Sequence, residues 1–194
     1  MSGESVPVTR PTVFTIGHST RALDTFIQML RVHGVTHLVD VRTIPRSRHN
    51  PQFNRDTLPE GLRLAGIAYT HMEQLGGLRH ARPDSPNTGW HNSSFRGFAD
   101  YMQTPEFEAG LERLIQLAVC EQVVIMCAEA VPWRCHRSLI ADALKVRGMQ
   151  VQNIMSNHER RPDTAALAYS LRKGLGHPYH LSSGDKVKRQ EMPL

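Results

Sequence analysis

Cysteine is scarce in this chain. Only Cys120, Cys127 and Cys135 occur among 194 residues, too few for a disulfide scaffold and odd in number. Beside 8 methionines and 11 histidines they predict a reducing, cytoplasmic setting. Long apolar runs are missing as well. None approaches the ~20 residues that a membrane helix needs, and the opening MSGESVPVTRP lacks the apolar centre of a signal peptide. Charge of one sign is in short supply: the formal net charge is only +5, which favours an anionic ligand without requiring nucleic acid. What remains is ordinary. Hydrophobic residues at 40% and charged residues at 21% exclude a disordered or fibrous chain. At this length a single domain can bury roughly 70% of its unfolded surface without metal or disulfide. The expectation is a soluble intracellular protein.

Apolar patterning alternates between strand and helix. Val13–Ile16 is β-rich and ends in Gly17-His18-Ser19-Thr20. Leu23, Phe26, Ile27 and Leu30 then recur at helical spacing up to Gly34, with Thr20 as the expected N-cap. His37–Arg42 predicts a second strand, residues 56–66 a helix limited by Pro59, and Ile67–Met72 a third strand. Glycines and prolines predict a long loop over 73–94. Thr104 and Pro105 then fit the N-cap and first position of a helix carrying Phe107, Leu111 and Leu114. Val123–Cys127 has the continuous apolar character of a central parallel strand. A helix through Leu139–Leu144 ends at Gly148, and Val151–Met155 makes a fifth strand. The spacing predicts an α/β fold: an open, mainly parallel sheet of about five strands with helices on both faces. Residues 1–12 read as a lead, 13–156 as the domain, and 157–194 as a basic extension holding Arg160, Arg161, Arg172, Lys173, Lys186, Lys188 and Arg189.

Ligands of such sheets bind beyond the carboxyl ends of the strands, and the polar residues gather there. They are His18 after the first strand, Asp40, Arg42, Arg46 and Arg48 after the second, and Glu73 and Gly76-Gly77 after the third. Cys127, Glu129, Arg134, Cys135, His136 and Arg137 follow the fourth, and His158 the fifth. The sharpest piece is Cys127-Ala-Glu-Ala-Val-Pro-Trp-Arg-Cys135-His136-Arg137, leading from a buried strand into a helix. Helix N–H groups and neighbouring guanidinium groups favour thiolate over thiol, and they also favour bound anions.

Gly17-His18-Ser19, Val39-Asp40-Val41-Arg42 with Pro45 and Ser47-Arg48, Leu75-Gly76-Gly77, and Cys127-Ala-Glu129 with Pro132 and Cys135-His136-Arg137 together resemble the DUF488 family over about residues 13–156. The resemblance implies an α/β fold and, since the family is named for an unknown function, little chemistry. It carries His18, Asp40, Arg42, Arg48, Glu129, Cys135, His136 and Arg137 forward as the motif residues.

Three readings stay open. In the first, Cys135 is a nucleophile on an anionic, phosphate- or nucleotide-like small molecule. His136 or His18 is then the acid–base partner, with Asp40, Arg42, Arg48, Glu129, Arg134 and Arg137 around the substrate. A phosphatase-type C-x5-R loop is absent, since Trp133 stands six positions after Cys127. In the second, the basic 42–55 loop and the extension bind nucleic acid, with Trp90, Tyr101 and Trp133 for stacking. In the third, Cys127, Cys135, His136, His18 and His158 supply metal ligands, although no closed zinc spacing is present and adjacent Cys135 and His136 are not expected to face one ion. No cofactor is identified by the sequence. For each residue a structural role competes: an internal Asp40–Arg42 ion pair, an inert core thiol at Cys127, a Glu129 that pairs with arginine.

Overall fold

The computed structural model describes residues 11–162. The first ten residues and most of the basic extension, Arg172, Lys173, Lys186, Lys188 and Arg189 included, lie outside them. Among the described residues six strands form one sheet: β1 (Thr12–Gly17), β2 (His37–Asp40), β3 (Ala68–His71), β4 (Val123–Cys127), β5 (Gln150–Ile154) and β6 (Arg160–Pro162). Their order is β3-β2-β4-β1-β5-β6. All pairs are parallel except β5–β6. The fold is α/β as the sequence predicts, with one strand more. β6 is three exposed residues antiparallel to β5, within the stretch the sequence assigns to the extension.

Among the described residues five α-helices cover the sheet: α1 (Leu23–Val32), α2 (Leu58–Leu64), α3 (Ser93–Tyr101), α4 (Pro105–Cys120) and α5 (Arg137–Val146). From β1 the chain steps outward through β2 to β3, then returns to β4 and β5. With crossovers of one hand, that reversal puts α1 and α2 on one face and α3, α4 and α5 on the other. The two cores agree. Phe14, Ile16, Leu38, Val124 and Met126 pack with Phe26, Leu30, Leu58 and Leu62. Val13, Val39, Val41, Ile125 and Cys127 pack with Phe98, Leu111, Leu114, Leu139 and Ile140. Strand period two thus assigns alternate residues of β1, β2 and β4 to opposite faces.

Helix ends mostly follow local chemistry. Thr104 caps α4 by accepting from the Phe107 N–H, with Pro105 at the first position. Gly34 and Gly148 adopt φ of 68° and 81° just past α1 and α5. Thr20 is not the cap of α1: Ala22 holds that place without a side-chain bond. The loop predicted over 73–94 is shorter, because α3 begins at Ser93 under an Asn92 cap. Gly97 sits mid-helix where a Cβ would stand 2.5 Å from the Arg79 carbonyl oxygen, so the loop lies directly against it. Asp100 ties the same loop down, accepting from the Arg82 N–H, Ser85 Oγ and Asn87 Nδ2.

Candidate functional site

Strand order reverses between β1 and β4, and a doubly wound sheet opens its ligand crevice at that point. The chains leaving the two strands run against each other. His18 N–H donates to the Cys127 carbonyl and Ser19 N–H to the Ala128 carbonyl, both at 2.9 Å. A Cβ on Gly17 would stand 1.8 Å from the Glu129 carbonyl oxygen, so only glycine fits. Ser19 turns away at φ 51°. Two buried polar clusters flank this junction, one on each face of the sheet.

On the α1/α2 face, Asp40 is wholly buried and takes both Arg42 Nε (2.8 Å) and Nη2 (2.6 Å), besides the Arg42 N–H and the Tyr69 hydroxyl. Arg42 Nη2 also donates to the Phe53 carbonyl, and Nη1 to His18 Nε2 at 3.2 Å. His18 Nδ1 faces the Ser19 carbonyl at 2.7 Å, which accepts only, so Nδ1 carries the proton. The ring stacks on Phe53. Burial and the adjacent Arg42 overcome the Ser19 bond and lower the His18 pKa to about 4. Neither ring nitrogen offers a free lone pair at neutral pH. The internal Asp40–Arg42 pair is therefore present, and it occupies the guanidinium that the first reading assigned to substrate.

On the opposite face, Cys127 ends β4 and Cys135 precedes His136, the N-cap residue of α5. His136 Nε2 donates to the Val41 carbonyl at 3.1 Å, which leaves the Nδ1 lone pair turned inward. It meets Cys135 Sγ at 3.7 Å and Cys127 Sγ at 4.0 Å. All three donor atoms lie within 4.8 Å of one another. Contrary to the sequence expectation, neighbouring Cys135 and His136 do converge. Cys135 is extended (φ −132°, ψ 145°) and His136 helical (φ −57°, ψ −16°), and this change of backbone swings both groups to one side. Phe98 packs edge-on against the imidazole, and Gly77 brings bare backbone against it: a Cβ there would stand 2.3 Å from Nδ1.

The sulfurs are unequal. A hydrogen bond from the Cys127 thiol, with help from Arg137 and from His136 when Nδ1 holds a proton, holds Cys135 well below the usual thiol range despite its burial. The same bond, then burial, pushes Cys127 well above that range. Arg137 is 1% exposed. Its Nη1 donates to Thr15 Oγ1 at 3.0 Å and Nη2 to the Glu129 carbonyl at 2.7 Å, while buried Nε has no partner. No carboxylate pairs with it among the described residues. Arg21, half-buried beside the Gly17 carbonyl, has its pKa lowered by burial and by Arg137.

The remaining predicted residues stand elsewhere. Glu129 meets Arg137 through its main chain, its own side chain being exposed. Arg134 is exposed at the end of a 3-10 turn, Pro132–Arg134, and Arg48 is exposed on a loop. His158 is exposed in the turn between β5 and β6, and both His18 nitrogens are engaged. Of the five donors proposed for a metal, Cys127, Cys135 and His136 alone could hold a soft ion among the described residues. Arg79 lies 3.7 Å over the Tyr101 ring and Trp90 stacks on Phe95, so neither ring stands free as a stacking platform. A depression of about 550 Å³ on the basic loop is lined by Pro45, Arg46, Asn54, Arg55 and Asp56 and includes none of the cysteine cluster. Sequence reasoning passed over Thr15 and Arg21: a threonine inside an apolar strand carries no signal, and Arg21 reads as a surface residue opening a helix.

Neither curated proteins nor solved structures gave a match to the chain. The sequence pattern described as domain of unknown function DUF488 matches residues 22–144, which takes in the Asp40–Arg42 pair, Gly77 and the whole Cys127–Arg137 segment. By that match the chain belongs to the DUF488 family.

Proposed function

We propose that the α5-side cluster is a thiol-based reaction site in which Cys135 attacks a small electrophile and Arg137 receives the negative charge that the electrophile carries or releases. One observation carries the reading: Cys135 Sγ shares His136 Nδ1 with Cys127 and feels the charge of a buried guanidinium that has no carboxylate partner among the described residues. A buried cation is costly unless something neutralises it. A thiolate at Cys135 and an anionic group on the substrate both do so. His136, its tautomer set by Val41, takes up or returns a proton at Nδ1. Asp40, Arg42 and His18 act as a rigid support that fixes the end of β1 and thereby the Cys127 carbonyl.

Metal binding by the same three donors is less favoured. They number three, and Arg137 puts a fixed positive charge next to them. Nucleic-acid binding rests on the exposed Arg46, Arg48 and Arg55 of the basic loop; of the three candidate stacking rings, Trp90 and Tyr101 are engaged and Trp133 is exposed.

The test compares iodoacetate with iodoacetamide at neutral pH, following each cysteine by peptide mass spectrometry. The reading expects Cys135 to label ahead of exposed Cys120. It also expects a preference for the anionic reagent that free cysteine lacks and that Arg137→Met removes. Equal reagent preference, or labelling confined to Cys120, overturns it. Stoichiometric zinc in protein purified without chelator would move the assignment to the metal.

A further inference from the structure

Cys127 has no task in a single-thiol mechanism, yet it is held within 4.8 Å of Cys135 and shares its histidine. Building on the proposed thiol site, we infer that Cys127 is the resolving thiol of a two-cysteine cycle whose substrate is a small hydroperoxide.

What a second thiol can do depends on the group that Cys135 carries. Attack by Cys127 on an acyl or phosphoryl group carried by Cys135 would only pass that group along. Attack on Cys135 Sγ is productive when the adduct is an S–O or S–S bond, because the product is then a disulfide. The electrophile is therefore oxygen or sulfur that accepts two electrons. Space decides between them. Cys135 is 3% and Cys127 8% exposed, Gly77 lies flat on the His136 ring, and Phe98 closes its edge. Hydrogen peroxide or a small alkyl hydroperoxide enters such a site where a bulky organic disulfide does not. The unpartnered Arg137 Nε supplies a donor for the oxygen that leaves with negative charge.

The chemistry balances. Cys135 thiolate attacks the near peroxide oxygen, the S–O bond forms, the O–O bond breaks, and hydroxide leaves to take up the proton that Cys135 released on ionising. Cys127 then gives its proton to His136 Nδ1 and attacks Cys135 Sγ. The S–S bond forms, the S–O bond breaks, and the departing hydroxide collects the proton from His136 as water. Two thiols and one peroxide become one disulfide and two waters; an external dithiol such as dithiothreitol restores the thiols for the next turn.

The experiment treats reduced full-length protein with one equivalent of hydrogen peroxide, then counts thiols and maps peptides. Free thiols should fall from three to one, with a Cys127–Cys135 linkage and Cys120 still free. The rate at neutral pH should exceed that of free cysteine by on the order of tenfold, the advantage of an ionised thiol reduced by its lower nucleophilicity. Cys127→Ser should stop at a sulfenic acid on Cys135 that a cyclic 1,3-dione traps, and Cys120→Ser should behave as wild type. The thermal unfolding of Cys127→Ser is measured alongside, and iodoacetate labelling of its Cys135 shows the site intact. Persistent sulfenic acid in the wild type, linkage through Cys120, or faster oxidation by an organic disulfide than by peroxide each overturns the inference. Persistent sulfenic acid with iodoacetate preference retained removes only the resolving role. Loss of both peroxide and iodoacetate reactivity removes the thiol site with it.

Discussion

Two guanidinium groups are buried at the carboxyl edge of one sheet, and they are treated in opposite ways. Arg42, on the α1/α2 face, has carboxylate, carbonyl and imidazole acceptors around its donors, and its partner Asp40 accepts from four directions. Arg137, on the α5 face, has one hydroxyl, one carbonyl and an empty Nε, with two thiols and a histidine beside it. Full satisfaction is what a structural polar network needs. An unsatisfied one placed among nucleophiles is a place where a ligand completes the set. The contrast separates support from chemistry inside motifs that look alike in sequence, Asp-Val-Arg and Cys-His-Arg.

The largest effect should come from breaking the saturated side. Asp40→Ala leaves a buried guanidinium without its carboxylate, which costs about 3–5 kcal/mol. Urea unfolding should show a midpoint far below wild type. A midpoint close to wild type would mean that water enters the Arg42 site and that the two sides are not distinct.

Acid should act on the same side through His18. Its folded pKa is about 4 against 6.5 for the free side chain, so the unfolded chain takes the proton first. Stability is then full above about pH 6.5 and falls progressively as the pH drops toward 4. By linkage the loss approaches about 3 kcal/mol at the low end. Arg42 and Arg137 oppose the charged ring and Asp40 favours it. Subtracting the stability–pH curve of His18→Gln from that of wild type isolates this histidine from the carboxylates. A flat difference between pH 6.5 and 4 would show the ring to be solvated.

The sequence made the sheet legible because period-two and helical apolar patterns survive in β1 to β5 and in four of the five helices. It failed where structure depends on contacts rather than pattern. β6 has no apolar pattern to betray it, being Arg160, Arg161 and Pro162 paired with β5. α3 goes unpredicted, and its central Gly97 is the point where a loop packs on the helix. The site was half legible. Asp40 and Arg42 follow from alternation, whereas the meeting of Cys127, Cys135 and His136 depends on a backbone change at the start of α5 that spacing does not encode.

A smaller effect on stability, about 2 kcal/mol of overpacking, is expected from Gly77→Ala. The new methyl must displace the His136 ring, since it would stand 2.4 Å from Cγ. The saturated side should not notice: acid sensitivity from His18 should be unchanged while Cys135 loses its labelling advantage over Cys120. Unchanged labelling would show that the imidazole position does not govern the thiol.

Arg137→Met should have the smallest effect on stability and the most selective effect on chemistry. A buried charge without a carboxylate returns little on folding, and apolar replacement of buried charge is often neutral or better. Against this stand two lost hydrogen bonds, at Thr15 Oγ1 and the Glu129 carbonyl. Thr15 keeps its bond to Asn153 Oδ1 at 2.7 Å, so its hydroxyl is not orphaned. The net change should lie within about 1 kcal/mol. The preference of Cys135 for iodoacetate over iodoacetamide should nevertheless disappear, because the group that attracts the anion is gone. If Arg137→Met instead unfolds the protein as Asp40→Ala does, Arg137 is structural in the same sense as Arg42, and the difference between the two faces of the sheet vanishes.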